Sequence, residues 1–274
     1  MKRYYYLVVG LIVFVCLGGV FGLKLFQKKD INSTKLFNIN EKYKLENTNS
    51  NIDLKAEYEY TYNVPGRNVA IIKANGKWGL IDFNGKTLIK PIYDNMGILN
   101  EGLYKVKQNN KWKIINEKGD LITKEAYDGI LPYNDGLAIV FNQQGKERRM
   151  GVVDKEGNEV VNLMYYGLVP FSNPSNTNGF ITMFEEEGKL KCGLIDKMGK
   201  IVIEPKYNVI LPLVGDFARI KKNNKLGFIN RNGKEIVPPI YDDAKDFENG
   251  LAKVKLENKW IVIDEDGKKI KNID

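Results

Sequence analysis

Residues 76 to 85 read Gly76-Lys77-Trp78-Gly79-Leu80-Ile81-Asp82-Phe83-Asn84-Gly85, a short apolar run closed by an acidic residue and, three positions later, a glycine. The figure returns down the chain. Its centre reads GLID from Gly79, KIIN from Lys113, GVVD from Gly151, GLID from Gly193, GFIN from Gly227 and IVID from Ile261, at spacings of 34, 38, 42, 34 and 34. The glycine returns at Gly85, Gly119, Gly157, Gly199, Gly233 and Gly267 with the same five spacings. An internal repeat of about 34 residues, present in six copies, therefore governs the fold.

Other columns keep the same period. Val69, Leu103, Leu137, Phe180, Phe217 and Leu251 lie upstream of each doublet, each followed three residues on by an apolar residue. Downstream come Leu88, Ile122, Val160, Val202, Ile236 and Ile270, and in five copies an aromatic at Tyr93, Tyr127, Tyr165, Tyr207 and Tyr241. Each unit reads as three short strands, for example FARIKK from Phe217, GFIN from Gly227 and KEIV from Lys234, since the apolar runs are too short for helices and end at Asn, Gly and Asp turn signals. The recurring D/N-x-x-G places a side-chain acceptor at the start of a type I turn and glycine where φ becomes positive. Pro91, Pro205 and Pro238-Pro239 close the third strand, where a missing N–H does least harm.

The segment Gly76 to Asp82, with Pro91-Ile92-Tyr93-Asp94 and Asn249-Gly250-Leu251-Ala252, resembles the WG (KWG) repeat consensus over residues 64 to 274. Departures are visible: the Trp column reads Trp78, Trp112, Met150, Cys192, Leu226, Trp260, and Lys113 and Ile261 replace the following glycine. The resemblance implies a β-rich bacterial repeat domain, usually attached to membranes or other modules, with no general biochemical activity. A three-stranded unit cannot bury its own apolar face, so neighbours must stack. The fold class expected is all-β, six three-stranded antiparallel units in a propeller-like ring or an open superhelical stack. The alternating stretch Leu54 to Tyr62 can complete the last unit and close a ring, or cap the first; the reading leans to the propeller-like arrangement.

Ahead of the repeats, Tyr4 to Leu23 is uncharged over twenty residues, enough for a helix to cross a bilayer. An uncleaved single-pass transmembrane anchor over 1–26 is preferred to a cleavable signal, and Cys16 after Phe14-Val15 does not suit lipid attachment. Residues 27–53, rich in Asn and Lys, read as a flexible polar stalk, leaving 54–274 as the repeat domain. With the short N-terminus in the cytoplasm, the repeats are extracytoplasmic.

Composition narrows the function. The net charge of +8 is spread out, with pairs such as Lys28-Lys29 and Arg148-Arg149 rather than long basic runs, which argues against nucleic acid as partner. Two cysteines, Cys16 and Cys192, give no disulfide framework. The chain has no histidine, which removes the commonest general base, the Ser/His and Cys/His pairs and most zinc sites. Asn84-Gly85-Lys86-Thr87 ends like a phosphate loop but lies on a hairpin turn, and Asp264-Glu265-Asp266-Gly267 lacks the later glutamate of a calcium loop. The Asp column alternates with Asn116 and Asn230, which hold a turn but cannot titrate, so it reads as turn chemistry. No catalytic residue, cofactor or metal site is expected.

Individual function is expected where the repeat is broken, in insertions on a rigid scaffold. The candidate contact residues are Phe171, Asn173 and Asn176 in one insertion, Glu185, Glu186 and Glu187 in another, and Arg148 and Arg149 in a third. The expected function is a membrane-anchored, non-catalytic binding or scaffold module with a protein or cell-envelope polymer partner. The alternatives are an envelope glycan-acting enzyme using paired carboxylates, and a structural spacer.

Overall fold

The computed structural model describes residues 34–39, 42–47, 57–173, 176–186 and 188–273. The expected anchor lies outside them, as do Pro174, Ser175 and Glu187. Among the described residues every regular element is a strand, and none is a helix long and apolar enough to cross a membrane.

The strands form seven small antiparallel sheets, each built from consecutive segments of chain. The second runs Tyr60–Asn63, Val69–Ala74, Lys77–Asp82, Thr87–Tyr93, and the sixth Val209–Ile210, Phe217–Lys222, Lys225–Asn230, Glu235–Tyr241. Five sheets are four-stranded, one strand more than the repeat pattern suggests. The extra strand is the segment after the Tyr column: Val209–Ile210 pairs with Ile220 and Lys221, and Asp243–Ala244 with Val254 and Lys255. Two-residue strands carry no readable period, so sequence alone assigns them to loops. In the third sheet the fourth strand is reduced to the isolated bridges Trp112↔Tyr127 and Ile115↔Leu121.

The N-terminal end differs from the sequence reading. Thr34–Ile39 and Lys42–Asn47, inside the stretch read as a stalk, pair as a hairpin, and Glu57–Tyr58 adds a third strand. The chain breaks at Glu59, and Tyr60–Asn63 becomes the first strand of the second sheet. This segment therefore caps the N-terminal side. The seventh sheet takes all its strands from residues 243–273, with Lys269–Ile273 as its fourth.

The core lies between sheets. Hydrophobic clusters sit between the first and second (Ala70, Ile72, Ile81, with Tyr58 and Phe83), the second and third (Ile71, Leu80, Tyr104, Ile115), the third and fourth (Ile114, Tyr127, Val153), the fourth and fifth (Ile139, Val152, Phe180), the fifth and sixth (Phe171, Ile181, Ile220), and the sixth and seventh (Phe228, Val254, Ile263). Successive residues such as Ile71 and Ile72, or Leu80 and Ile81, face opposite neighbours, because side chains alternate across a strand. At about 1.5–3 kcal/mol for each fully buried Ile, Leu or Phe, these seams hold the units together. Among the described residues no cluster joins the seventh sheet to the first or second.

Antiparallel connection gives the molecule two ends. The D/N-x-x-G turns and the links between first and second strands gather at one, the turn end. The hairpins between second and third strands gather at the other, the tip end.

Candidate functional site

At the turn end the repeated acidic column works as a lock. Asp82 Oδ1 accepts from the N–H groups of Asn84 at 2.9 Å and Lys86 at 2.8 Å. The same two bonds recur at Asn116, Asp196, Asn230 and Asp264, and Asp154 Oδ1 accepts from Asn158 N–H at 2.8 Å. Each turn closes with a backbone bond such as Gly85 N–H to Asp82 O, 3.0 Å, with φ of 82° at the glycine. Asparagine substitutes because only the oxygen acceptor is used, as the sequence reading proposed.

The Trp and Tyr columns are cross-strand partners. Trp78 lies opposite Tyr93, Trp112 opposite Tyr127, Met150 opposite Tyr165, Cys192 opposite Tyr207 and Leu226 opposite Tyr241. Just past each pair the register slips, in the third sheet with Lys113 at the glycine position, and where the WG glycine is kept it meets the opposite backbone closely. A Cβ on Gly79 would sit 2.5 Å from Ile89 O and 2.8 Å from Pro91 N; Gly151 and Gly193 face Val161 O and Ile203 O at 2.5 and 2.6 Å. Where Ile261 replaces glycine, the pairing with Lys269–Ile273 stays regular from Trp260 to Val262, and the close approach is absent.

Two tyrosines bind the next unit: Tyr127 OH donates to Glu159 Oε1 at 3.1 Å and Tyr207 OH to Glu235. Burial first, then the neighbouring carboxylate, pushes both phenols above their ordinary range. Burial also raises Tyr104, with Glu117 adding to it, to about 12, and Cys192 to about 11, so this thiol is a packing group rather than a nucleophile.

Ion pairs divide between the ends. At the tip end, Lys77 meets Asp94 at 2.6 Å and Lys111 meets Asp128 at 2.8 Å, and Lys225 pairs with Asp242. In the fourth sheet this Asp is replaced by Tyr166, and the Arg149 guanidinium instead lies 4.1 Å from the Tyr166 ring centre. At the turn end, pairs cross between units: Arg67 with Glu117 at 2.6 Å, Glu101 with Lys155 at 2.7 Å, and Asp135 with Lys197. A shallow, open depression of about 460 Å³ there is lined by Glu101, Asp135, Gly136, Lys155 and Glu156.

The structure separates the predicted contact residues. Phe171 is wholly buried between the fifth and sixth sheets; the sequence reading placed it in a contact loop, but it continues the strand Gly167–Asn173 and fills the core. Asn173 pairs with Asn176 in a hairpin at the turn end. Arg148, Arg149, Glu185 and Glu186 instead lie at the tip end, on two lengthened hairpins of the fourth and fifth sheets. Arg148 and both glutamates are exposed, while Arg149 is half-buried and ion-paired with Glu147 at 2.9 Å. Sequence reasoning missed the pairing of the Lys before Trp with the Asp after Tyr. Its signal was the joint recurrence of Lys77, Lys111 and Lys225 with Asp94, Asp128 and Asp242.

Among solved structures the chain is similar to a eukaryotic initiation factor (TM-score 0.41, 9% identity, 87% of this chain and 73% of that one). It is also similar to Porphyromonas gingivalis dipeptidyl peptidase 4 (0.37, 10%, 88% and 50%) and to an uncharacterized protein of Listeria monocytogenes (0.31, 15%, 92% and 98%). Scores this low carry no argument. No curated protein sequence matches the chain significantly. The family model of the WG containing repeat matches residues 78–112, 114–146, 193–225 and 227–260. With four repeats matched, and with all six Asp or Asn turns built alike, the chain belongs to the WG-repeat family.

Proposed function

We propose that the chain is a non-catalytic binding or scaffold module, displayed at a membrane surface by the apolar segment Tyr4 to Leu23, with its repeats on the extracytoplasmic side. Its partner is a protein or a cell-envelope polymer. The observation that carries this reading is how the repeated residues are used. Each repeated acceptor is occupied by backbone N–H groups of its own turn, and the Tyr and WG-glycine columns serve packing and inter-unit bonding. What varies between units is the length and charge of the hairpins, which is where a rigid scaffold carries recognition.

A glycan hydrolase would need an acid and a base facing one cleft. Glu101 and Asp135 do line one depression, yet each is ion-paired, with Lys155 and Lys197, which favours the binding reading. Within it, the arrangement is an open superhelical stack rather than a propeller-like ring. Support comes, among the described residues, from core seams that pass only between consecutive sheets and from a seventh sheet built wholly of residues 243–273.

A photo-crosslinker at Asn176, in the native host, tests the reading against a chain whose Asn173–Asn176 hairpin is shortened to the length of the other units. A specific protein or glycan captured only by the intact hairpin supports a binding module. Absence of any hairpin-dependent product removes this contact and puts the spacer and enzyme readings ahead.

A further inference from the structure

The standard hairpin of the stack is short. After the Trp-column pair Lys73↔Trp78 one further pair, Ala74↔Lys77, precedes the turn, and the same holds at Lys107↔Trp112, Lys221↔Leu226 and Lys255↔Trp260. The fourth and fifth sheets depart from this. Phe141↔Met150 is followed by three pairs ending at Gln144↔Glu147, and Met183↔Cys192 by three ending at Glu186↔Lys189. Both hairpins therefore stand two residue pairs, or about 7 Å, beyond the others. Stacked sheets pack about 10 Å apart, so a groove open at the top runs between the two, above the seam of Ile139, Val152 and Phe180.

Strand alternation decides which side chains wall this groove. On the fourth sheet, Ile139 and Met150 lie in the seam with the fifth, so Phe141 and Gln143 share their side. Arg148, opposite Gln143, lies on that side too, its guanidinium 4.5 Å from the Phe141 ring centre. On the fifth sheet, Phe180 and Ile195 face the same seam, whereas Ile181, Met183 and Cys192 face the sixth sheet. Phe184 and Glu186 therefore turn into the groove together with their cross-strand partners Lys191 and Lys189, and Glu185 turns away. Arg149 and Glu147 alternate onto the opposite face of their own hairpin, where they pair with each other.

The walls so defined carry Arg148, Lys189 and Lys191 against Glu186. Among the described residues none of these three cations is ion-paired. Arg148 rests its face on Phe141 and donates from Nε to Gln143 at 3.4 Å, which leaves its two terminal nitrogens for a ligand. Exposed Phe184, 37% accessible, supplies an apolar contact between the walls. Lys189 and Lys191 stand two residues apart on one strand face, about 7 Å, which is also the interval between alternate side chains of any extended peptide.

We infer that the groove between the lengthened hairpins of the fourth and fifth sheets binds an extended acidic peptide segment of a partner protein. Carboxylates at alternate positions of that segment meet Lys189, Lys191 and Arg148, and an apolar residue packs on Phe184. A guanidinium stacked on a ring keeps its planar fork of donors in one orientation, which suits a carboxylate bidentately. The inference rests on the binding-module reading and names the chemistry of its partner at the tip end. Exposed ion pairs are individually weak, so binding needs several together and is salt-sensitive.

The test is fluorescence anisotropy of a labelled peptide of alternating Glu and Val, titrated with the full chain in detergent. Saturable binding is expected at low salt, weakening about tenfold in about 0.5 M NaCl, where the screening length is about 4 Å. Lys189→Glu with Lys191→Glu, and separately Arg148→Glu, each weaken it about tenfold, and Phe184→Ser weakens it by a smaller factor. Glu186→Lys tightens it, whereas Glu185→Lys, on the far face, leaves it close to the parent. Circular dichroism of each variant checks that the exposed hairpins were changed without loss of fold. The inference is overturned by absence of saturable binding at low salt, by charge reversals without effect, or by Glu185→Lys acting as strongly as Glu186→Lys. Equal binding of a peptide with its Glu residues in one block overturns the register match, and tighter binding of inorganic polyphosphate makes the groove a site for an anionic polymer instead. Because the Asn176 crosslink reports from the turn end, a partner captured there while the groove binds no peptide overturns this site and leaves the binding module standing.

Discussion

The turn end and the tip end are built from the same kind of hairpin, yet they are constrained differently. The six segments from the repeated Asp or Asn to five residues beyond hold 9 Lys/Arg and 11 Asp/Glu; the six tip hairpins, counted between Trp-column pairs, hold 14 and 5. At the turn end the glycines of the D/N-x-x-G turns touch the preceding unit: a Cβ on Gly157 would lie 2.8 Å from the Ile122 carbonyl carbon, and one on Gly233 would crowd Val202 and Leu194. At the tip end Gly76 and Gly145, with φ of 75° and 60°, have nothing within 4 Å. The turn end is therefore part of the inter-unit seam, and the tip end is free surface. Two equal backbone conformations carry different consequences because only one of them is packed.

That contrast can be broken by substitution, with effects graded by contact. The largest is expected for Gly157→Ala, which adds a left-handed alanine and pushes it into the Ile122 backbone; a loss of about 3 kcal/mol in denaturant unfolding is expected. A loss below about 1 kcal/mol would show that the seam is soft there. Next comes Asp196→Ala, which orphans the N–H groups of Met198 and Lys200 and costs about 1–2 kcal/mol, while Asp196→Asn stays within about 0.5 kcal/mol. If the asparagine variant is as damaging as the alanine one, the charge rather than the oxygen acceptor holds the turn.

At the tip end, Gly76→Ala is expected to cost only the left-handed conformation, about 1 kcal/mol, and Gly76→Asn close to nothing, since Asn110, Asn224 and Asn258 adopt φ near 65° at the same place. Thermal melts of the three proteins decide it. The smallest effect is electrostatic. Hydrogen bonds from Lys77, Lys111 and Lys225 hold the carboxyls of Asp94, Asp128 and Asp242 below the ordinary carboxylate range. A lowered folded-state pKa gives stability that is present above the unfolded value, about 4, and lost as pH falls through the folded one. These pairs are exposed, so replacing all three Asp by Asn should leave the neutral-pH melt almost unchanged and flatten only the acid limb below about pH 4. A large loss at neutral pH would place the tip-end pairs in the core energetics.

Much of this was legible in the residues. Asp82, Asn116 and the glycines three positions on announce a turn because the side-chain oxygen and the positive φ are local requirements. Phe171 was misread for the opposite reason: beside Ser172, Asn173 and Pro174 it looks like loop sequence, and only its place opposite the sixth sheet buries it. The hairpin within 34–47 was hidden by its Asn and Lys content, although Leu36 and Leu45 stand opposite each other. The two charged tips were both visible as insertions, but their equal height and shared end depend on register, which no run of sequence displays.

The sequence by itself determined what repeats: strand length, turn chemistry, the apolar columns and the exclusion of histidine chemistry, all set within one unit of about 34 residues. The tertiary structure alone decided what no single unit displays: an added strand, two residues long in three of the sheets, seams that bury successive side chains against different neighbours, and turn glycines held against the preceding unit. The reason is range. Turn and strand preferences are satisfied by atoms a few residues apart, whereas a unit that cannot bury its own faces leaves its energetics to contacts made 30 or more residues away.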